Sequence, residues 1–517
     1  MPRQDRSFFL ITTILVLLIN LVPFVLASQA GGSAYLFNGV LLNPLDGDTY
    51  LAKMYQGFRG DWRFTLPYTP NPGQGAYLNL YYLFLGHVAR ILSLSLPVMF
   101  TLARLVGGVS LLFALHRFFQ WTLPDARSRR IAFALAALGS GMGWLLIPAG
   151  AFTADFWVAE TYPFLSMYNN PHFPLGLALI LLFLTFPTLR QKSTGWAGGL
   201  ASIVALLLGV VSPFGVVIVI VVMGGWLFVL GYNPLRRREW QQIIALPQFA
   251  HWLWIILGGA PMLVYQFWAI RTDPILAEWD AQNITLTPPW WDVLISLSPA
   301  IFLALIGAYK LKMEDSALPL LVWMVLGLVL ILIPFGLQRR FLMGLYVPLA
   351  GLAALGIERL AQGKRSRIRW LTIALFLLAL PTNLIVLLAG QSGAFSRELI
   401  LFRTRAEASA FTWLEQNTPP DALVLAAPET GLLIPAFSGR QVIYGHPFET
   451  VNAAHEKQAV LDFFQMSESE AYTFLLARDV DYIFFGPREQ ALGELPLQDG
   501  LVSVYKEANV QIFAVKK

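Results

Sequence analysis

Cysteine is absent from all 517 residues, which excludes disulfides, thiolate chemistry and cysteine-ligated zinc. Charge is scarce as well. Asp, Glu, Lys and Arg together make up 13% of the chain, where a soluble domain carries about a quarter. The net charge of +5 is small and spread over short loops, which points to membrane orientation and away from nucleic-acid binding. No low-complexity tract is present. No internal repeat is evident, which weighs against an inverted-repeat transporter.

What remains is apolar. Hydrophobic residues form 56% of the chain, and several runs reach or approach the roughly 20 residues that span a bilayer. The composition predicts a polytopic α-helical membrane protein. Sixteen Trp and 17 Tyr supply anchors for both interfaces. The first run, Phe8 to Ala27, is too long for a signal-peptide core and is read as a retained span. Later runs fall near 97–119, 131–150, 172–190, 196–211, 214–231, 250–271, 291–310, 317–336, 340–357 and 369–390. Ser212-Pro213-Phe214-Gly215 marks a tight turn between two short spans.

Lys and Arg collect in cytoplasmic loops. The basic connections are Arg127/Arg129/Arg130, Arg190/Lys192, Arg236/Arg237/Arg238, Lys310/Lys312 and Arg359 through Arg369. All fall inside if the N-terminus is cytoplasmic and the segment 77–91 lies in the interface without crossing. That gives about eleven transmembrane helices and places residues 29–95 in a long first outer loop. A C-terminal stretch, 400–517, then lies outside the cell membrane. Its patterning predicts a small α/β domain: a helix over Thr404–Asn417 stopped by Pro419-Pro420, buried strands at Ala422–Ala426 and Asp481–Phe485, helices near 453–464 and 468–477, and a terminal strand pair at Leu501–Tyr505 and Val510–Val515. The chain thus divides at 1–395 and 400–517.

The first outer loop carries Asn43-Pro44-Leu45-Asp46-Gly47-Asp48-Thr49-Tyr50. Two carboxylates at a membrane surface can hold a divalent metal (Mg or Mn) or accept a proton. The bland alternative is a solvated Asp-Gly-Asp turn. Arg339 and Arg340 are the exception to positive-inside, in a short outer turn, and an anionic lipid headgroup would explain them. The alternative for them is snorkelling. The second outer loop holds Asp155, Glu160 and Asn169-Asn170-Pro171-His172. Two ordinary loop acids and a structural His are the plainer reading there.

These features resemble the GT-C superfamily of membrane glycosyltransferases, nearest in layout to the protein O-mannosyltransferases and aminoarabinose transferases. Asp46 is followed by Tyr50 four residues on, as in that family's acidic motif, and Gly60-Asp61-Trp62 is similar to a Gly-Asp-Trp that often follows. The motif's Glu is replaced by Gly47, and the Lys-Pro-Pro-Leu or His-Pro-Pro-Leu element is missing. The resemblance implies a polyprenyl-phosphate sugar donor, transfer with inversion to an unknown acceptor (glycan, lipid or protein) at the outer face, and a mannosyl- or other hexosyl-type activity. Asp46 would be the base, with Asp48 as understudy or metal ligand, and Arg339 or Arg340 would hold the lipid phosphate. Lys53, His87, Arg90 and Arg104 are further donor-side candidates. Tyr50, His172, Asp155 and Glu160 are candidates for substrate binding. Trp290-Trp291-Asp292 looks like an oligosaccharyltransferase signature but lacks the following Tyr-Gly, and reads as an aromatic belt. Gly439-Arg440 and Gly445-His446 with Glu449 read as a folded loop cluster ahead of a sugar or partner site. Two rivals fit the same composition: a flippase of lipid-linked sugars, indifferent to Asp46→Asn, and a scaffold that recruits partners through its tail.

Overall fold

A computed structural model describes residues 3–185, 195–309, 311–312, 315–497 and 499–517. The expected basic residues Arg190, Lys192 and Lys310 lie outside them. Among the described residues, seven helices are long and apolar enough to cross a membrane. They are Asp5–Ala30, Leu96–Thr122, Ala126–Ala149, Pro213–Arg236, Pro247–Thr272, Gln338–Ala361 and Arg365–Phe395. The pair Trp290–Ser296 and Ala300–Ala308 bends by 83° at its break, where Pro299 withdraws a backbone donor. His172–Thr185, Gly198–Val211 and Leu318–Leu330 are shorter apolar helices. This is an integral membrane protein. The Ser212-Pro213 turn stands as expected, between the helices Gly195–Val211 and Pro213–Arg236.

The chain forms two compact units. The first gathers residues 1–23, 102–265 and 285–390. One deeply buried helix, Tyr346–Ala361, packs against Ala300–Ala308 and Ala126–Leu138. A helix apolar on every face belongs in such a position. Asp5 pairs with Arg129 and Arg130, so the first helical turn and the first basic loop share one end of this unit.

The second unit gathers residues 24–101, 266–284 and 391–517. Strand β1, Tyr35–Phe37, pairs antiparallel with β2, Phe402–Thr404. A five-stranded sheet follows from β3 (Leu423–Leu425), β4 (Gln441–Val442), β5 (Tyr482–Phe485), β6 (Leu501–Glu507) and β7 (Val510–Val515), in the order β4-β3-β5-β7-β6. The inner pairs β3–β4 and β3–β5 are parallel, and β7 runs antiparallel to both neighbours. Apolar strand residues such as Leu425 and Ile483 pack with Val460, Phe463 and Leu475 from the helices Ala453–Phe463 and Glu468–Ala477. The helix Arg405–Asn417 starts at a capping box, with Thr404 and Glu407 satisfying each other's backbone N–H groups.

Also in the second unit, the helix Pro44–Arg59 crosses Leu80–Ile91 at very close range. A Cβ on Gly57 would lie 2.0 Å from the Leu83 carbonyl oxygen, and one on Gly86 would lie 1.9 Å from that of Met54. Only glycine permits backbones to approach so far.

Candidate functional site

The acidic motif is not a turn. Pro44 occupies the first helical turn, where its missing N–H costs nothing and its φ is already helical, and Asp46 and Asp48 lie inside the helix Pro44–Arg59. Residues two apart on a helix do not face each other. The side chain of Asp46 is 40% exposed, whereas Asp48 is 0% exposed. The two therefore present no shared pair of oxygens to a metal. Gly47 lies between them against Val40, and a Cβ there would come within 2.5 Å of a Val40 methyl. The Glu found at this place in the family motif has no room.

Asp46 Oδ2 accepts from Asn43 Nδ2 at 2.5 Å, and its Oδ1 stands 3.4 Å from His446 Nε2. Its place in the first turn complements the helix dipole. Asp48 makes no hydrogen bond through either carboxylate oxygen. Burial pushes its carboxyl well above the usual range, opposed by the charges of Arg403 and Arg488. Arg403, half-buried, is pushed down to about 10 by its loss of water. A base must be reachable by the proton it takes, and of the two acids only Asp46 is partly open.

The same helix carries Lys53, whose Nζ meets Glu449 Oε1 at 2.6 Å with both side chains nearly buried. Lys53 also lies over the ring of Tyr50, at 4.7 Å, and Tyr50 stacks on Tyr82 at 4.3 Å. His87 works on the Gly-Asp-Trp segment: its ring stacks on Trp62 at 4.1 Å and its Nε2 is 3.1 Å from the Asp61 carbonyl. Arg90 reaches His87 Nδ1 at 3.3 Å, which leaves the proton on Nε2 to donate. Among the sequence-selected residues of the second unit, Asp46, Lys53, His446 and Glu449 are brought together. The tail loop was the element that sequence reasoning undervalued.

In the first unit, Arg340 lies 3.5 Å from Glu160, which joins two candidates from separate loops. Arg339 lies over Trp157 at 4.8 Å. Both arginines belong to a 3-10 turn, Gln338–Leu342. Arg104 is buried and donates to the Tyr168 carbonyl at 3.2 Å. His172 opens the helix His172–Thr185 with its ring against Phe173. Asp155 is bound up in structure: it accepts from Thr153 Oγ1 at 2.6 Å, Thr382 Oγ1 at 2.8 Å and the Gly143 N–H at 3.0 Å. Asp292 accepts from the Ala154 N–H at 2.8 Å. The aspartate of Trp290-Trp291-Asp292 is thus buried in this network, while Trp290 is exposed.

Among the described residues no three His, Asp or Glu side chains gather to hold a metal ion. Asp46 with His446 offers two protein donors, fewer than the all-protein cages of structural sites.

No family model matches the chain, and no curated protein matches it. Solved structures do. The oligosaccharyltransferase AglB from Archaeoglobus fulgidus, in complex with an inhibitory peptide and a dolichol-phosphate, is 14% identical over 93% of this chain and 69% of that one, with a TM-score of 0.54. ArnT from Cupriavidus metallidurans, bound to undecaprenyl phosphate, is 13% identical over 97% of this chain and 98% of that one, with a TM-score of 0.52. The arabinofuranosyltransferase AftD from Mycobacteria is 14% identical over 99% of this chain and 42% of that one, with a TM-score of 0.52. The chain shares the fold of these three transferases, the fold that the resemblance to the GT-C superfamily implies.

Proposed function

We propose that this chain is a glycosyltransferase that takes a sugar from a polyprenyl-phosphate carrier and passes it to an acceptor hydroxyl at the outer membrane face. The observation that carries the proposal is Asp46: a half-open carboxylate in the first turn of a helix, held by Asn43 and faced by His446 at 3.4 Å, in a chain sharing its fold with sugar-transferring membrane enzymes. The lipid phosphates held by the AglB and ArnT structures support the donor class.

In the proposed step the acceptor oxygen forms a bond to the anomeric carbon while the bond from that carbon to the carrier's phosphate oxygen breaks. The phosphate departs with the electron pair, Asp46 takes the acceptor's proton, and a single displacement inverts the anomeric centre. The leaving group is already good, so proximity and proton removal are the main needs. Arg340, with Arg339, is assigned to the carrier phosphate, whose charge a guanidinium fork matches. The N-terminus is placed in the cytoplasm and the sheet of the second unit outside.

Purified protein in lipid, offered polyprenyl-phosphate hexoses and pentoses, tests this by mass spectrometry of released carrier phosphate. Asp46→Asn is expected to lower turnover by about 10²-fold or more. Arg340→Ala is expected to weaken donor use strongly, and Arg237→Ala to leave it unchanged. Full turnover in Asp46→Asn, or carrier movement without bond cleavage, would remove the assignment.

A further inference from the structure

The loop 445–452 is built as a rigid bracket. Thr450 Oγ1 accepts from the backbone N–H groups of Gly445 at 3.2 Å and His446 at 3.3 Å. The Thr450 N–H returns to the His446 carbonyl at 3.0 Å. Gln282 donates to the Thr450 carbonyl at 2.6 Å, and Asn283 to that of Phe448 at 3.0 Å. Glu449 is tied to Lys53, as described. A folded loop would need none of these to end on the helix Pro44–Arg59, yet both of its titratable groups do: His446 on Asp46 and Glu449 on Lys53.

The ring of His446 is oriented by a single bond. The Phe448 backbone N–H donates to His446 Nδ1 at 3.1 Å. A backbone N–H has only a donor to offer, so Nδ1 must be the acceptor and the neutral ring carries its proton on Nε2. That nitrogen is the one turned to Asp46 Oδ1. His446 itself is buried, while the carboxylate it meets is half-open. His446 cannot relay a proton onward through Nδ1 while the Phe448 bond stands.

We infer that His446 is a positioning residue for Asp46: the tail loop sets Nε2 3.4 Å from Oδ1, a polar contact longer than a formed hydrogen bond, while Asn43 holds the other oxygen, and together they bias the carboxylate toward the acceptor. The inference rests on the proposed role of Asp46. Each carboxylate oxygen accepts more than one hydrogen bond, so the acceptor's proton is received beside the Asn43 donor and the facing His446 Nε2. The C-terminal stretch thereby supplies part of the candidate site, a role that a detached recruitment domain would not have.

Two measurements on the full chain in lipid nanodiscs test it. Solid-state NMR of protein carrying 15N-histidine, with the His446 signal identified by its loss in His446→Gln, is expected to show Nε2 protonated and Nδ1 bare. A proton on Nδ1 overturns the inference. The second measurement is release of carrier phosphate from the polyprenyl-phosphate panel, with water allowed as acceptor. His446→Ala is expected to lower kcat about tenfold or more with little change in KM, because misplacing a catalytic group costs rate before affinity. His446→Gln, whose amide nitrogen can replace the Nε2 donor, is expected to recover much of it. Equal loss in Ala and Gln with lowered Tm marks a purely structural histidine and sinks the inference. Loss in Asp46→Asn with kcat intact in His446→Ala removes the inference and leaves the base assignment standing. Indifference to Asp46→Asn, or no turnover on any donor, removes both.

Discussion

Two aspartates separated by one glycine meet opposite fates because a helix turns them apart. Asp48 faces inward without a hydrogen bond, and burial pushes its folded-state carboxyl well above the ordinary aspartate value of 3.8. The folded state therefore holds a proton that the unfolded chain releases, and stability must fall as pH rises from about that value through the folded pKa. Asp48→Asn lacks this dependence. Thermal unfolding at pH 5 and pH 8 is expected to show the variant gaining on the parent at the higher pH. A difference in Tm that is flat with pH would mean the carboxylate is compensated by Arg403 and Arg488. The sequence ranked Asp46 above Asp48 only through the family resemblance, since spacing alone does not say which face of a helix is buried. The Pro at the first turn was the legible helix signal, and the Asp-Gly-Asp composition masked it. Glu449 was beyond reach for a different reason: nothing local in a chain pairs a lysine with one acid among many 396 residues away.

At the scale of elements, the patterns that local physics decides were readable. The helix Arg405–Asn417 follows its Thr-x-x-Glu capping box and ends before Pro419. The strands β3 and β5 follow short apolar runs, and β6 and β7 form the expected terminal pair. The crossing of Pro44–Arg59 with Leu80–Ile91 was not readable, because its cause is a contact between two glycines distant in sequence. Gly→Ala within a helix normally stabilises by roughly 0.5–1 kcal/mol. At Gly86 the added methyl meets the Met54 carbonyl, so the sign should reverse, with a cost of about 1–3 kcal/mol for overpacking. Gly199, which has nothing within 4 Å of its would-be Cβ, is the control. Gly86→Ala should lower Tm and Gly199→Ala should not. Equal behaviour of the two would mean the helices can slide apart at no cost.

For the whole molecule, the sequence announced an apolar, many-helix chain with a mixed tail, and the interleaving of its pieces came only with the structure. The second unit draws on three separate stretches, 24–101, 266–284 and 391–517. Removing residues 400–517 would leave Lys53 without Glu449 and take β2 away from β1. An unpaired buried charge is strongly destabilising, so limited proteolysis of the truncated protein is expected to cut rapidly within residues 29–95. Resistance equal to that of the full chain would show that the early stretch folds unaided.

The Lys53–Glu449 pair also sets a clock. Glu449 follows Lys53 by 396 residues, and ribosomes add roughly 5–20 residues per second. The helix that carries Asp46 must therefore wait for something on the order of 20 to 80 seconds before its partner leaves the ribosome. During that interval its lysine can be satisfied only by water, lipid headgroups or a chaperone. A nascent chain stalled before residue 449 should hold this helix open to labelling, and release of the last hundred residues should close it.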